Sequence, residues 1–313
     1  MAVGIGRAKT IFFGEHFVVY GCKAIGFGLD KKIKVEVKKA AKMKIDFVVD
    51  EKIEKALEVL KRSLGTGNFE IGIKSSEIPV ASGLGSSVAF NVATARALSE
   101  EFGLGLTDQK ICDLAFETEK IFHGTPSGID NTLSTFGGSI LFQKRPGKNL
   151  IQRLKIGSPL HLVMIHSGVK GETKEMVEKV GIFKRQNEEI FSQILNIESK
   201  IVDGAVASIE KGGHERLGAL MDINHTLLRM IGVSSPENEK IVSIAKENGA
   251  LGAKIIGAGG GGFCIALMKD EKDSLKLVEI MEKQYRCFYN LVSAADLSRQ
   301  NAKNNTNGRS RLS

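Results

Sequence analysis

Between Pro79 and Phe102 the chain commits itself to a particular local shape. Pro79-Val80-Ala81-Ser82-Gly83-Leu84-Gly85-Ser86-Ser87 sets two glycines two residues apart, follows them with two hydroxyls, and runs directly into the alanine-rich stretch Val88 to Phe102. The spacing predicts a tight loop closing on a helix start. Glycine lets backbone approach a ligand with no Cβ in the way. The helix start presents unpaired N–H groups and the positive end of a dipole. Loop and helix together form a site for an anion, most often a phosphate. Ser86 or Ser87 could add a hydroxyl oxygen for a hard cation such as Mg2+. A protein that handles a nucleoside triphosphate is one reading. An ordinary glycine–serine turn with a capped helix is the other, and the loop alone does not choose between them. It lacks the Gly-Lys-Ser/Thr ending of a Walker A loop, and it does not open after a first strand as a dinucleotide fingerprint should.

Other features narrow the class. The 313 residues suffice for one large domain or two smaller ones, and 42% hydrophobic with 26% charged residues is ordinary soluble globular composition. No apolar run approaches a membrane span, and the first residues carry no signal-peptide core, so a cytoplasmic location is expected. Cys22, Cys112, Cys264 and Cys287 are scattered without a C-x-x-C pair, which suits reduced packing thiols rather than a disulfide framework or zinc site. The formal charge of +8 is concentrated: Arg299, Lys303, Arg309 and Arg311 have no acid beside them from Ser298 onward, and the body carries the remaining +4. That polar stretch, 298–313, reads as a disordered basic tail. A mildly basic body suits a small anionic substrate at least as well as nucleic acid.

Periodicity predicts strands at Thr10–Phe13, Phe17–Tyr20, Lys32–Lys38, Phe69–Lys74, Gly138–Phe142 and Leu160–Ile165. Helices are expected at Glu51–Leu64, Asp108–Phe122 after a capping Thr107, Asn187–Lys211, His214–Ile231 and Asn238–Glu247. Gly257–Gly262 leads into a strand at Phe263–Met268, followed by a helix near Lys272–Gln284 and a strand near Phe288–Val292. This order suggests α+β layering rather than a regular βαβ series.

Four segments need a common explanation: Lys9-Thr-Ile-Phe-Phe-Gly-Glu-His16, the 79–87 loop, Glu119-Lys-Ile-Phe-His-Gly-Thr-Pro-Ser-Gly-Ile-Asp-Asn131, and Gly252-Ala-Lys-Ile-Ile-Gly-Ala-Gly-Gly-Gly-Gly262. In composition and order they resemble the GHMP kinases, the family named for galactokinase, homoserine, mevalonate and phosphomevalonate kinases. Within it, Gly14-Glu-His-Phe-Val-Val-Tyr-Gly21 and His123-Gly-Thr-Pro-Ser-Gly-Ile-Asp-Asn131 are most similar to the members that phosphorylate mevalonate. A galactokinase is expected to follow its Gly-Glu-His with Thr/Asn-Asp-Tyr.

The resemblance implies a two-lobed α+β GHMP kinase fold, with a mixed α/β domain over 1–160 and a helical/β domain over 161–297. It implies an ATP- and Mg2+-dependent kinase acting on the primary hydroxyl of mevalonate, with phosphomevalonate or a sugar as the alternative acceptor. Homodimers are common among such proteins; nucleic acid and membrane partners are not expected. Residue by residue, it puts Pro79, Val80, Ala81, Ser82, Gly83, Leu84, Gly85, Ser86, Ser87, Gly259 and Gly260 against the nucleotide. Ser87 and Glu119 become metal ligands, Asp130 and Lys9 the catalytic pair, and Glu15, His16 and Thr173 substrate contacts. The chemistry needs such groups because phosphoryl transfer depends on positioning and on stabilising spread-out negative charge. A close cation would keep Asp130 ionised.

Each residue has an ordinary reading too. Asp130 could cap a helix after Gly128, Glu119 could be a solvated helix-face residue, and Lys9 a surface lysine; His123 is read as structural. A ligand-sensing regulator of the same fold is the reading from another class, opposed by the joint presence of Lys9, Ser87, Glu119 and Asp130. The chain departs from the family pattern at Arg7-Ala8-Lys9, where Pro-Gly-Lys is usual, and at Cys22-Lys23, where a proline is expected.

Overall fold

A computed structural model describes residues 1–79, 83–123, 126–147 and 149–294, so Val80, Ala81, Ser82 and the basic tail at 298–313 lie outside the described residues. Two compact units interleave along the chain: Met1–Lys9 with Gly28–Gly137, and Thr10–Phe27 with the chain from Gly138 onward. Among the described residues, no helix is long and apolar enough to cross a membrane.

The first unit takes the leading part of strand β1 (Ala2–Phe13) and most of strand β2 (Lys23–Lys39), which pair with each other. A two-residue strand β3 (Lys44–Ile45) and helix α1 (Glu51–Leu64) precede strand β4 (Phe69–Ser76). β4 pairs antiparallel with β2, Val37 facing Ile71, and parallel with β3. Alternation along β2 buries Val35 and Val37, as a strand with one covered face requires. Helix α1 is started by the Asp50 carboxylate, which accepts from Ile53 N at 2.9 Å, and ended by Gly65 in the left-handed region. Helices α2 (Ser86–Glu101), α3 (Asp108–His123) and α4 (Ile129–Phe136) complete the unit. Thr107 caps α3 through Lys110 N at 3.3 Å, as its sequence position predicts.

β1 and α2 fit together because β1 has glycine where α2 has alanine. A Cβ on Gly4 would come within 1.9 Å of Ala93 O, and one on Gly6 within 1.8 Å of Ala89 O. Helix α2 is buried almost throughout, from Val88 to Ser99, with only Arg96 breaking the run. That arginine donates to Ile5 O (2.7 Å), Asp108 (2.7 Å) and Thr135 O (2.8 Å), tying α2 to β1, α3 and α4.

In the second unit, Lys23–Phe27 of β2 pair antiparallel with β5 (Ser139–Gln143), and β5 with β6 (Leu150–Arg153). Strand β7 (Leu160–His166) and helices α5 (Thr173–Gln186), α6 (Glu188–Lys211), α7 (His214–Met230) and α8 (Pro236–Glu247) follow. Strand β8 (Gly252–Ile255), strand β9 (Phe263–Met268), helix α9 (Glu271–Met281) and strand β10 (Arg286–Val292) close the described chain. The second sheet runs β10-β7-β9-β8, antiparallel throughout. The result is mixed α and β structure of the kind the element order suggests.

Phe17–Tyr20 differs from expectation: its β-branched and aromatic residues read as a strand but form a single 3-10 turn. The reason is what precedes it. Gly14 (φ 90) and His16 (φ 56) both lie in the left-handed region, which turns the chain and breaks any strand.

Candidate active site

In the first unit three chain segments meet. Lys9, on β1, is buried, and its Nζ lies 2.9 Å from Asp130 Oδ2. Asp130 occupies the first turn of α4, whose N-cap is Gly128 in the left-handed region, so the aspartate is not itself the cap. Its other oxygen, Oδ1, is buried and accepts no hydrogen bond among the described residues. Ser87, in the first turn of α2, donates to Glu119 Oε1 at 3.3 Å. Glu119 lies on α3 and is only 1% exposed. Burial, then the nearby Asp130 carboxylate, push its carboxyl up to about 7, with Lys9 and Ser87 opposing.

Local backbone explains this meeting. Gly85 is the N-cap of α2 with φ 76 and offers no side chain to the helix start. Among the described residues no side chain caps the leading N–H groups of α2. A Cβ on Gly85 would fall 2.8 Å from Lys9 Cε, so glycine there lets the lysine stem pass the helix end toward Asp130. The Arg7-Ala8-Lys9 variant leaves the path of β1 regular. Lys9 N donates to Leu84 O at 3.0 Å, Ser134 Oγ donates to Arg7 O at 2.7 Å, and Ala8 is fully buried. Of the remaining loop, Leu84 is buried, Gly83 is exposed, and Pro79 and Ser86 are half-buried.

The second unit holds Glu15, His16, Thr173, Gly259 and Gly260. Glu15 is 1% exposed and ion-paired with Lys254 of β8. Burial raises its carboxyl above the ordinary range, against the pull of Lys254. His16 donates from Nε2 to Ala258 O at 2.8 Å; because a carbonyl only accepts, Nε2 carries the proton. Desolvation lowers the pKa of His16, so the ring is neutral near pH 7 with its lone pair on Nδ1. Thr173 opens α5 and is exposed.

The glycine segment is tightly packed. A Cβ on Gly259 would lie 2.1 Å from Val233 O, and one on Gly260 2.9 Å from Met176 Sδ. Gly260 N donates to Val233 O (2.8 Å) and Gly262 N to Val169 O (2.9 Å), so both amides are engaged within the unit.

Sequence reasoning did not single out Lys254, Glu198 or Asn224. Glu198, on α6, accepts from Gly14 N at 3.1 Å and from Asn224 Nδ2 at 2.7 Å. The available signal was one lysine inside the small and apolar run Gly252-Ala-Lys-Ile-Ile256, where a buried strand rarely admits a charge.

Residues 51–138 match the GHMP kinases N terminal domain, and residues 205–287 match the GHMP kinases C terminal domain. The mevalonate kinase of Pyrococcus furiosus is 37% identical over 300 residues, covering 85% of this chain and 88% of that protein. The mevalonate kinase of Archaeoglobus fulgidus is 35% identical over 285 residues, covering 88% and 95%. Among solved structures, L. major mevalonate kinase in complex with R-mevalonate superposes with a TM-score of 0.83 at 32% identity, covering 94% of this chain and 96% of that one. The chain belongs to the GHMP kinase family.

Proposed function

We infer that this chain is a mevalonate kinase, an ATP-dependent phosphotransferase that makes 5-phosphomevalonate from mevalonate. The names of its relatives support the acceptor. The reading of the chemistry is carried by one observation: Asp130 gives one oxygen to Lys9, and its other oxygen is buried and has no hydrogen-bond partner among the described residues. That second oxygen is where a substrate hydroxyl can donate its hydrogen bond. Asp130 then orients the hydroxyl and receives its proton as the new P–O bond forms to the γ-phosphorus and the bond from that phosphorus to the bridging oxygen breaks, releasing ADP. Lys9 holds the other carboxylate oxygen in place and offsets the negative charge that develops nearby. The uncapped N–H groups at the start of α2 bind phosphate oxygens.

Ser87 and Glu119 fit a magnesium ion, being a hydroxyl and a carboxylate 3.3 Å apart, hard oxygen donors of the kind that complete their shell with phosphate and water. Magnesium would neutralise charge on the transferring phosphates. Pro79 and Gly83 to Gly85 line the nucleotide in this reading, while the Gly260 amide is already engaged within its own unit. His16 meets the alcohol substrate, Glu15 holds His16 in place, and Thr173 adds a peripheral contact. A cytoplasmic homodimer completes the reading, with analytical ultracentrifugation as the test of its assembly.

The experiment is a coupled ADP-release assay with ATP and Mg2+ against mevalonate, phosphomevalonate and galactose. Turnover with mevalonate at least about a hundredfold above the others is expected, from hydroxyl and charge discrimination in the pocket. Preference for another acceptor, or no turnover at all, would overturn the assignment.

A further inference from the structure

The second unit contains a buried ionic network around Glu15, and its other charged members, Lys254 and Glu198, have no part in the proposed chemistry. Lys254 is 0% exposed and donates to three acceptors: the Glu15 carboxylate, Phe12 O at 3.0 Å and Ile255 O at 2.8 Å. Its ammonium also sits 5.6 Å from the centre of the Phe13 ring. Glu198, likewise 0% exposed, holds Gly14 N at 3.1 Å and Asn224 Nδ2 at 2.7 Å. Three consecutive residues are therefore pinned at three different atoms: Gly14 through its amide, Glu15 through its carboxylate, and His16 through Nε2 to Ala258 O.

His16 is held in a costly backbone state. Its φ of 56 with ψ −39 is the one positive φ of a non-glycine residue among the described residues. Such a conformation persists only where the surroundings over-determine it, and it clusters at functional positions. Burying charged groups is costly as well, and a well-packed apolar pair often fills such a space at least as stably. Strain and buried charge together at one turn are poorly explained by packing alone.

We propose that Lys254 and Glu198 are positioning residues that act through His16, locking the Gly14–His16 turn so that the imidazole is presented in a single orientation and tautomer. The proposal rests on reading His16 as a contact of the alcohol substrate. Lys254 works from β8 by fixing the Glu15 side chain. Glu198 works from α6 by fixing the amide two residues before His16. Neither touches substrate.

The test measures KM for mevalonate, KM for ATP and kcat in His16→Ala, Lys254→Met and Glu198→Gln, and in each of the latter two combined with His16→Ala. His16→Ala is expected to raise the mevalonate KM about tenfold or more and leave the ATP KM within about twofold. Lys254→Met and Glu198→Gln should do the same, and adding either to His16→Ala should change the mevalonate KM by no more than about twofold, because both act through the same ring. If His16→Ala leaves the mevalonate KM unchanged, the substrate role of His16 falls and the proposal with it. If His16→Ala acts but the two network variants do not, or if the effects multiply, the positioning role alone is overturned. Should Lys254→Met fail to fold, the near-isosteric Glu198→Gln carries the test, with the ring nitrogen chemical shifts of His16 as a second readout. Loss of the single Nε2–H tautomer in Glu198→Gln supports the proposal, and an unchanged ring spectrum with an unchanged KM refutes it.

Discussion

Asp130 and Lys9 illustrate what a single side chain contributes here. Beside its contact with Lys9, Asp130 has one carboxylate oxygen with no hydrogen bond among the described residues, so Asp130→Asn, which keeps the shape and removes the charge, should lower kcat by about 10²–10⁴. The KM for ATP should stay within about twofold; steady-state kinetics in both substrates decides it, and near-normal kcat would remove Asp130 from the chemistry. Glu119 makes a different prediction. Its carboxyl is pushed up to about 7, so the ionised form that binds a cation grows as pH rises through neutrality. The magnesium midpoint for activity should therefore fall between pH 6 and pH 8 in the wild type, and should be higher and much less pH-dependent in Glu119→Gln. Lys9, Ser87, Glu119 and Asp130 were legible because each lies in a motif of recognisable order. Lys254 and Glu198 were not. One sits in a short strand with no charge pattern, the other on an amphipathic helix where a glutamate ordinarily faces water. Only three-dimensional placement reveals that both are buried.

Among the elements, α2 and β1 are built for close approach, and the same geometry brings Lys9 past the start of α2. Gly6→Val should destabilise the fold by about 3 kcal/mol or more, because the new side chain collides with backbone at Ala89 that cannot rotate away. Chemical denaturation would check this, and a loss under about 1 kcal/mol would show that β1 can shift off α2. The glycine segment offers an internal comparison. Gly257 (φ 73) and Gly259 (φ 75) share backbone strain, but only Gly259 faces a carbonyl, 2.1 Å from the built Cβ, whereas Gly257 faces open space. Gly259→Ala should therefore cost more stability than Gly257→Ala. Elements with strong periodicity were legible from sequence, α1 and α6 among them. Helix α4 was not, since Ile129-Asp-Asn-Thr-Leu-Ser-Thr-Phe136 is short and rich in residues that favour turns. Helix α5 buries only Met176 and Val180, too sparse a face to stand out in a sequence.

For the molecule as a whole, buried acids set how stability responds to pH. Glu198 is raised to about 7 by burial first and by the neighbouring Glu15 second. A carboxyl raised on folding holds its proton longer in the native state than in the unfolded chain. Stability from that group is complete below the unfolded value and is lost as pH climbs toward the folded one. Glu198→Gln cannot titrate, so the stability of the wild type relative to this variant should fall from pH 5 to pH 8, by up to about 3 kcal/mol. Urea denaturation of both proteins at each pH measures the difference, and a rise instead of a fall would contradict the sign. The interleaving of the two units has a practical outcome for anyone cutting the protein apart. A fragment beginning at Gly138 keeps Lys254 but loses the hairpin that supplies Glu15, Phe12 O and the amide held by Glu198. Expressed by itself, such a piece strands an ammonium without its counter-ion, whereas mixing it with a synthetic peptide spanning 10–27 returns the missing acceptors in trans.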